Sequence, residues 1–379
     1  MRIALVVPGG VDESGEIRVI PVLLWLIERL ARHHDIHVFA LDQYPERRDY
    51  ALLGASVHNL GSLAVRGAWR FLWRVKALRD GFRRHGPFDV IHAFWATPSG
   101  ALAALALGAA RTPLVVTLSG GEFARIESVG YGSQLSRKSR MQVRLAIRRA
   151  SRVTGATKFT VGMARDGSTC AELVPLGVAR SAFEPVGVES RRSPEPPYRL
   201  LAVGSLNRVK NYPMMLRAFR SVLDAEPQTL LDIVGEDTLD GVVQRLALEL
   251  GIAPRVTFHG FLRARELIPL YRRSQLVVHA SWHEAGPVVA LEAGMSRLAC
   301  IGTAVGYVAD WHSGRGLAVP PDDDAALALA ILRVLRDPAL RNAIAEEAYS
   351  FAVTHDADYT ADAFMAMYRD LRSPRGSRP

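Results

Sequence analysis

Residues 277–302 read VVHASWHEAGPVVALEAGMSRLACIG, and this stretch decides the fold. Leu276, Val277 and Val278 form an apolar run of the kind that fills a buried parallel strand. The pattern breaks over residues 281–286. Pro287 then suits the first turn of a helix, where its missing N–H would have had no partner. Helical spacing continues through residues 288–293, and a second apolar strand is predicted over 298–301. Glu284 falls in the loop and Glu292 inside the early helix. A loop carboxylate so placed faces the crevice beyond the strand's carboxyl end, where open α/β sheets bind ligands. The helix start at Gly286, Pro287 and Val288 combines free N–H groups with the positive end of the dipole, which suits a diphosphate. Glu292 is placed to accept bonds from sugar hydroxyls. Two isolated glutamates would more often be solvated acids; the flanking strand, the proline and the small residues Ala285, Gly286, Ala293 and Gly294 favour the site.

The same alternation runs through the chain. Strands are predicted at 3–7, 36–41, 89–93, 114–117 and 153–156, with an amphipathic helix over 20–32. It restarts with strands at 200–203, 229–234, 256–259 and 276–279, separated by helices over 212–225, 240–250 and 263–273. Such alternation predicts an α/β fold of two Rossmann-like, doubly wound domains. Pro185, Pro194, Pro196 and Pro197 with charged neighbours mark a linker over 179–199. The expected division is a first domain over 1–178 and a second over 200–355. A final helix follows over 356–372, then a basic tail over 373–379. Two units joined by a hinge place a cleft between facing crevices.

A chain of 379 residues with 49% apolar content is long enough for two separate cores. Cys170 and Cys300 lie far apart in the sequence, so nothing suggests a disulfide framework or a four-ligand metal site. A reducing cytoplasm is the expected location. The opening MRIALVVPGG reads as a first strand rather than a signal peptide, and the Ala/Gly-rich run at 99–110 is too short to span a bilayer. The net charge of +9 is uneven: residues 1–178 hold 24 Lys and Arg against 14 Asp and Glu, and the remainder 23 against 24. An anionic partner or surface is therefore expected for the first half only. Residues 66–84 interleave Arg66, Arg70, Arg74, Lys76, Arg79, Arg83 and Arg84 with Trp69, Leu72 and Trp73. A helix of that pattern suits peripheral contact with the inner face of a membrane, and equally a surface helix whose tryptophans pack on the sheet. No nucleic-acid motif accompanies the basic stretches, and no G-x-G-x-x-G follows a strand.

The pattern Ser281-x-x-Glu284-x₇-Glu292-Ala293-Gly294 resembles the nucleotide-sugar signature of retaining glycosyltransferases of family 4 (group 1). The resemblance implies the GT-B fold, with the two domains facing each other and the last helix crossing back to the first. It also implies a UDP- or GDP-sugar donor and no required cofactor or metal. Residues 201–211, LAVGSLNRVKN, resemble the family's Gly-Arg-Leu-x₃-Lys-Gly phosphate clamp. Lys210 matches the lysine, Ser205 stands at the usual arginine, and Arg208 is the substitute charge. Gly235 in LLDIVGE and Gly260 in FHGF resemble the positions bordering the nucleotide. Gly10, after the first strand, lets backbone approach a phosphate or simply makes a turn. The D-x-D at 322–324 reads as a helix N-cap rather than a metal site.

Resemblance is patchier in the first half. DVIHAFWATPSG, residues 89–100, resembles Asp-Val-Ile-His-Ala-His, with His92 retained and Phe94 at the histidine that reaches the transferred sugar. TLSGGE, residues 117–122, resembles Thr-x-His-Gly, with Ser119 replacing the histidine. The expected acceptor side is thus Phe94, Trp95, Ser119, Gly120, Gly121 and Glu122, with Glu284 and His92 as catalytic candidates. The implied reaction moves a sugar, with retention, to a glycan, lipid-linked or small-molecule acceptor, in polysaccharide or glycoconjugate biosynthesis. A non-catalytic nucleotide-sugar-binding protein and a sugar-nucleotide epimerase of the same architecture are the alternatives.

Overall fold

The computed structural model describes residues 1–61, 67–183, 196–312 and 314–372. Arg66, the basic tail and most of the expected linker, 184–195, lie outside the described residues. The chain divides into two compact units, Met1–Leu176 with Ala357–Pro379, and Gly177–Asp356.

The first unit is built on eight strands: β1 Arg2–Val7, β2 Asp35–Ala40, β3 Arg48–Leu52, β4 Ala55–Asn59, β5 Val90–Phe94, β6 Leu114–Leu118, β7 Arg152–Gly155 and β8 Glu172–Leu173. They lie in the order β3-β4-β2-β1-β5-β6-β7-β8. All pairings are parallel except β3 with β4. Every residue of β5 and β6 is buried, as expected of central strands covered on both faces. The β3–β4 hairpin was not legible in the sequence. Its turn places Leu53 (φ 51°) and Gly54 (φ 84°) both left-handed, the geometry that twists correctly into a two-residue hairpin.

The second unit carries β9 Arg199–Val203, β10 Leu230–Val234, β11 Val256–Phe258, β12 Leu276–His279, β13 Ala299–Thr303 and β14 Gly316–Val319. Their order is β11-β10-β9-β12-β13-β14, with all pairings parallel. Strand order reverses between β9 and β12, so their carboxyl ends flank the switch point. The helix Tyr212–Ala225 follows β9 and buries Met214, Met215, Ala218, Phe219 and Val222 against the sheet.

Chain order then departs from spatial order. The final helix, Ala357–Arg372, belongs to the first unit, as the resemblance implied. Phe364 and Tyr368 pack on His92, and Tyr368 Oη sits 2.6 Å from His92 Nδ1. Arg29 pairs with Asp358 and Arg152 with Asp370. Tyr368→Phe removes a buried hydrogen-bond partner from His92, at an expected cost of about 1–3 kcal/mol. The urea midpoint of the first unit should fall accordingly; an unchanged midpoint would mean that the helix is held by packing alone.

Candidate functional site

At the switch point of the second unit, Gly204 ends β9 at φ +153°. A Cβ there would stand 3.2 Å from Cε of Lys210. Glycine thus lets the lysine lie back across the strand end. A single helical turn, Arg208–Lys210, makes this possible, with the Asn207 side chain accepting from Lys210 N–H. Tyr212 Oη donates to Gly204 O at 2.5 Å and fixes the start of the next helix. On the adjacent strand Gly235 has φ +155°, and its missing Cβ would lie 2.0 Å from Gly204 O. Gly235 N–H donates to Gly260 O at 2.9 Å, so the three glycines stack successive loop backbones.

From β12, across the switch point, comes Glu284. Its Oε1 accepts from Lys210 Nζ at 2.6 Å and from Ser281 Oγ at 2.9 Å. His279 Nε2, buried, lies 3.7 Å from the same oxygen. Burial pushes the Glu284 carboxyl up, but the charges of Lys210 and His279 outweigh it and hold the group well below the usual carboxylate range. It is therefore an acceptor at neutral pH, not an acid. Thr303 Oγ1 donates to Ser281 O, and Gly306 (φ +53°) lets the β13 loop press on Pro287 and Glu284, where a Cβ would sit 2.4 Å from Pro287 Cδ. The helix Val288–Met295 begins after Pro287 without a side-chain cap; Ala290 N–H donates to Pro287 O, while the N–H groups of Val288 and Val289 are taken by no side chain among the described residues. Ser205 and Arg208 are exposed on the β9 loop, and Arg208 makes no ion pair among the described residues.

Glu292 is placed differently from Glu284. It is buried in the Val288–Met295 helix, and its Oε2 accepts from Tyr271 Oη at 2.6 Å. Burial raises its carboxyl to about 7. Tyr271 and His279 escaped the sequence reading as site residues. A buried tyrosine needs a partner for its hydroxyl, and that need was the available signal for Tyr271.

In the first unit the loops after β5 and β6 are tied together by Glu122. Its Oε1 accepts from Ala96 N–H (3.1 Å) and Ser119 N–H (3.3 Å), and its Oε2 from Gly120 N–H (2.9 Å). Trp95 adopts φ 68°, and its indole lies so close to Gly120 that a Cβ there would be 2.9 Å from Nε1. Gly121 likewise makes room for Tyr131, and the Ser119 hydroxyl is buried without a hydrogen bond. Two expectations are corrected. His92 has no accessible face: Tyr368 Oη and Thr117 Oγ1 each lie 2.6 Å from one of its nitrogens, and Phe94, itself enclosed, stacks at 4.3 Å. Burial lowers its pKa to about 3, so it is a neutral core residue without access to substrate. Gly10 does not offer its N–H to a phosphate, because Gln43 Oε1 takes it at 2.7 Å; its left-handed φ and missing Cβ accommodate Ile20.

Residues 188–351 match the family model described as glycosyl transferases group 1, and residues 19–166 the glycosyl transferase 4-like domain. A D-inositol 3-phosphate glycosyltransferase of Corynebacterium jeikeium is 32% identical over 231 residues, 56% of this chain and 55% of that protein. The match to this and two further D-inositol 3-phosphate glycosyltransferases spans 55%, 41% and 39% of their lengths. Sucrose-phosphate synthase from Thermosynechococcus elongatus superposes with a TM-score of 0.82 at 20% identity, over 98% of this chain and 99% of that one. HepE of Anabaena, solved with UDP and glucose, gives 0.74 at 17%, over 97% and 99%. At these identities the solved structures speak for the fold.

Glu292 supplies a pH test. Its carboxyl binds a proton more tightly when folded (about 7) than in an ordinary glutamate (4.5). The associated stability is fully present below about pH 4.5 and is lost as pH rises to about 7, amounting to about 3 kcal/mol. Urea denaturation of the wild type minus Glu292→Gln, across pH 4.5 to 8, should show that decline. A flat difference would place the charged carboxylate in the fold.

Proposed function

Because the chain belongs to the group 1 glycosyltransferases, we propose that it moves a sugar from a nucleoside diphosphate to a hydroxyl acceptor with retention of configuration. The Lys210–Glu284 contact carries this reading, because it sets a cation and an ionised acid together at the switch point. The donor diphosphate rests on Arg208, Lys210 and the N–H groups that open the Val288–Met295 helix. Lys210 is already paired with Glu284, so the exposed Arg208 supplies the uncompensated charge. Glu284 Oε2, which has no partner among the described residues, accepts from hydroxyls of the donor sugar, and Glu292 lies toward the ribose. As the anomeric C–O bond breaks, negative charge grows on the leaving diphosphate, where these fixed donors stabilise it most. The acceptor oxygen bonds to the anomeric carbon from the same face and its proton passes to the departing phosphate oxygen. No covalent enzyme intermediate and no metal are required.

UDP-sugars are the first donors to try, since HepE was solved with UDP-glucose. The acceptor is a glycan, a lipid-linked sugar or a small polyol. The helix Ala68–His85 favours an acceptor at an anionic membrane surface: Trp69 and Leu72 are 73% and 57% exposed on a helix rich in arginine. No described helix is long and apolar enough to cross a membrane.

Glu284→Gln should leave UDP binding by calorimetry within about threefold and lower transfer by about 100-fold or more. Lys210→Ala should weaken UDP itself. Full turnover in Glu284→Gln would remove that carboxylate from the reaction. Donor binding without hydrolysis or transfer, over a panel of UDP- and GDP-sugars and acceptors, would favour a binding protein, the reading to which the enclosed His92 and the replaced loop histidines point.

A further inference from the structure

Three imidazoles meet on one face of the first unit's sheet. His37 stands on β2 and His58 on β4, and the register pairs His37 with Ser56, so the two histidines are diagonal neighbours on the same face. His85 is the last residue of the helix Ala68–His85. One ring nitrogen from each lies within 4.8 Å of the others. His37 Nδ1 and His58 Nε2 are 3.0 Å apart. The outward nitrogens of these two rings face carboxylates: His58 Nδ1 lies 3.0 Å from Asp49 Oδ1, and His37 Nε2 lies 3.3 Å from Asp35 Oδ1.

We infer that His37, His58 and His85 form a binding site for one divalent transition-metal ion of the zinc type, which clamps the carboxyl end of the Ala68–His85 helix to the sheet. Imidazole nitrogens suit zinc, and three of them leave a fourth position for water. The carboxylates take the outer N–H of His37 and His58, which fixes the tautomers with their inner lone pairs converging. Those inner nitrogens are spaced close to the edge of a tetrahedron with metal–nitrogen bonds of 2.0–2.1 Å, about 3.3 Å. The negative end of the helix dipole and the carboxylates of Asp35 and Asp49 favour a cation, while Arg2 and Arg84 oppose it. His85 is the adaptable ligand: it is half-buried, its ring stacks on His58 at 3.9 Å, and a turn of that ring completes the set. A cavity of ≈ 190 Å³ bordered by Asp49, His58, Asn59 and His85 gives the ion an entry path.

This site belongs to the first unit and the residues assigned to donor binding to the second, so its test is independent of transfer. Chelator-treated full-length protein is titrated with Co²⁺ alone and then challenged with Zn²⁺. One equivalent should bind with the intense visible absorption of four-coordinate Co²⁺, and Zn²⁺ should abolish that absorption. His58→Gln and His85→Gln should each lose the signal, and Asp49→Asn should weaken binding about 10- to 100-fold. His85→Gln, at a half-buried helix end, is the variant least at risk of misfolding, with circular dichroism as the check. Absence of a saturable first equivalent, or an unchanged spectrum in His85→Gln, overturns the site and leaves a hydrogen-bonded histidine cluster.

Discussion

The second unit of this protein depends on one ion pair. Lys210 and Glu284 are 74 residues apart in the chain, yet Nζ and Oε1 meet at 2.6 Å because β9 and β12 are neighbours at the point where strand order reverses. Each group is largely withdrawn from water, with side-chain exposures of 23% and 17%. Removing either partner would leave the other without its neutralising neighbour. The pair in turn requires Gly204, since any side chain there would occupy the path of the lysine, and Gly235, which lets the neighbouring loop close against Gly204. A motif that reads as separate letters in the sequence is thus one packed object: two glycines, a lysine laid over them, and an acid brought from the loop after the next strand.

Legibility in the sequence followed locality. The helix Tyr212–Ala225 and the strand Leu276–His279 were marked to the residue, because periodicity and flanking loop residues both lie within a short window. Lys210 and Glu284 could be singled out by motif, but their contact could not, since it depends on strand order. The β3–β4 hairpin was missed because Leu53 occupies a left-handed turn position usually signalled by asparagine or glycine. His92 shows the limit most clearly. Its motif suggested chemistry, but Tyr368, which encloses it, comes 276 residues later. No local pattern contains that information.

The two units also differ in what their buried charges do. In the second, Glu284 is held ionised by neighbours and Glu292 is pushed toward the neutral acid by burial, so two similar carboxylates have opposite tendencies. In the first, burial raises the Glu122 carboxyl, opposed by bonds from loop N–H groups, and its task is to join the loops after β5 and β6. Glycines at 120 and 121 then leave room for Trp95 and Tyr131. This half is organised around apolar rings and backbone bonds at the positions where the resemblance implied histidines.

The return of the helix Ala357–Arg372 to the first unit also bears on biosynthesis. During synthesis the first sheet emerges early, but the groups that seal His92 leave the ribosome only after the entire second unit. Closing that contact spans a very long loop, and its entropic penalty falls if the intervening residues have already condensed. The second unit, continuous in the chain, is free to fold ahead of it. Maturation of the nascent protein is then expected to finish where it started, with the amino-terminal sheet waiting for its last strip of hydrophobic cover.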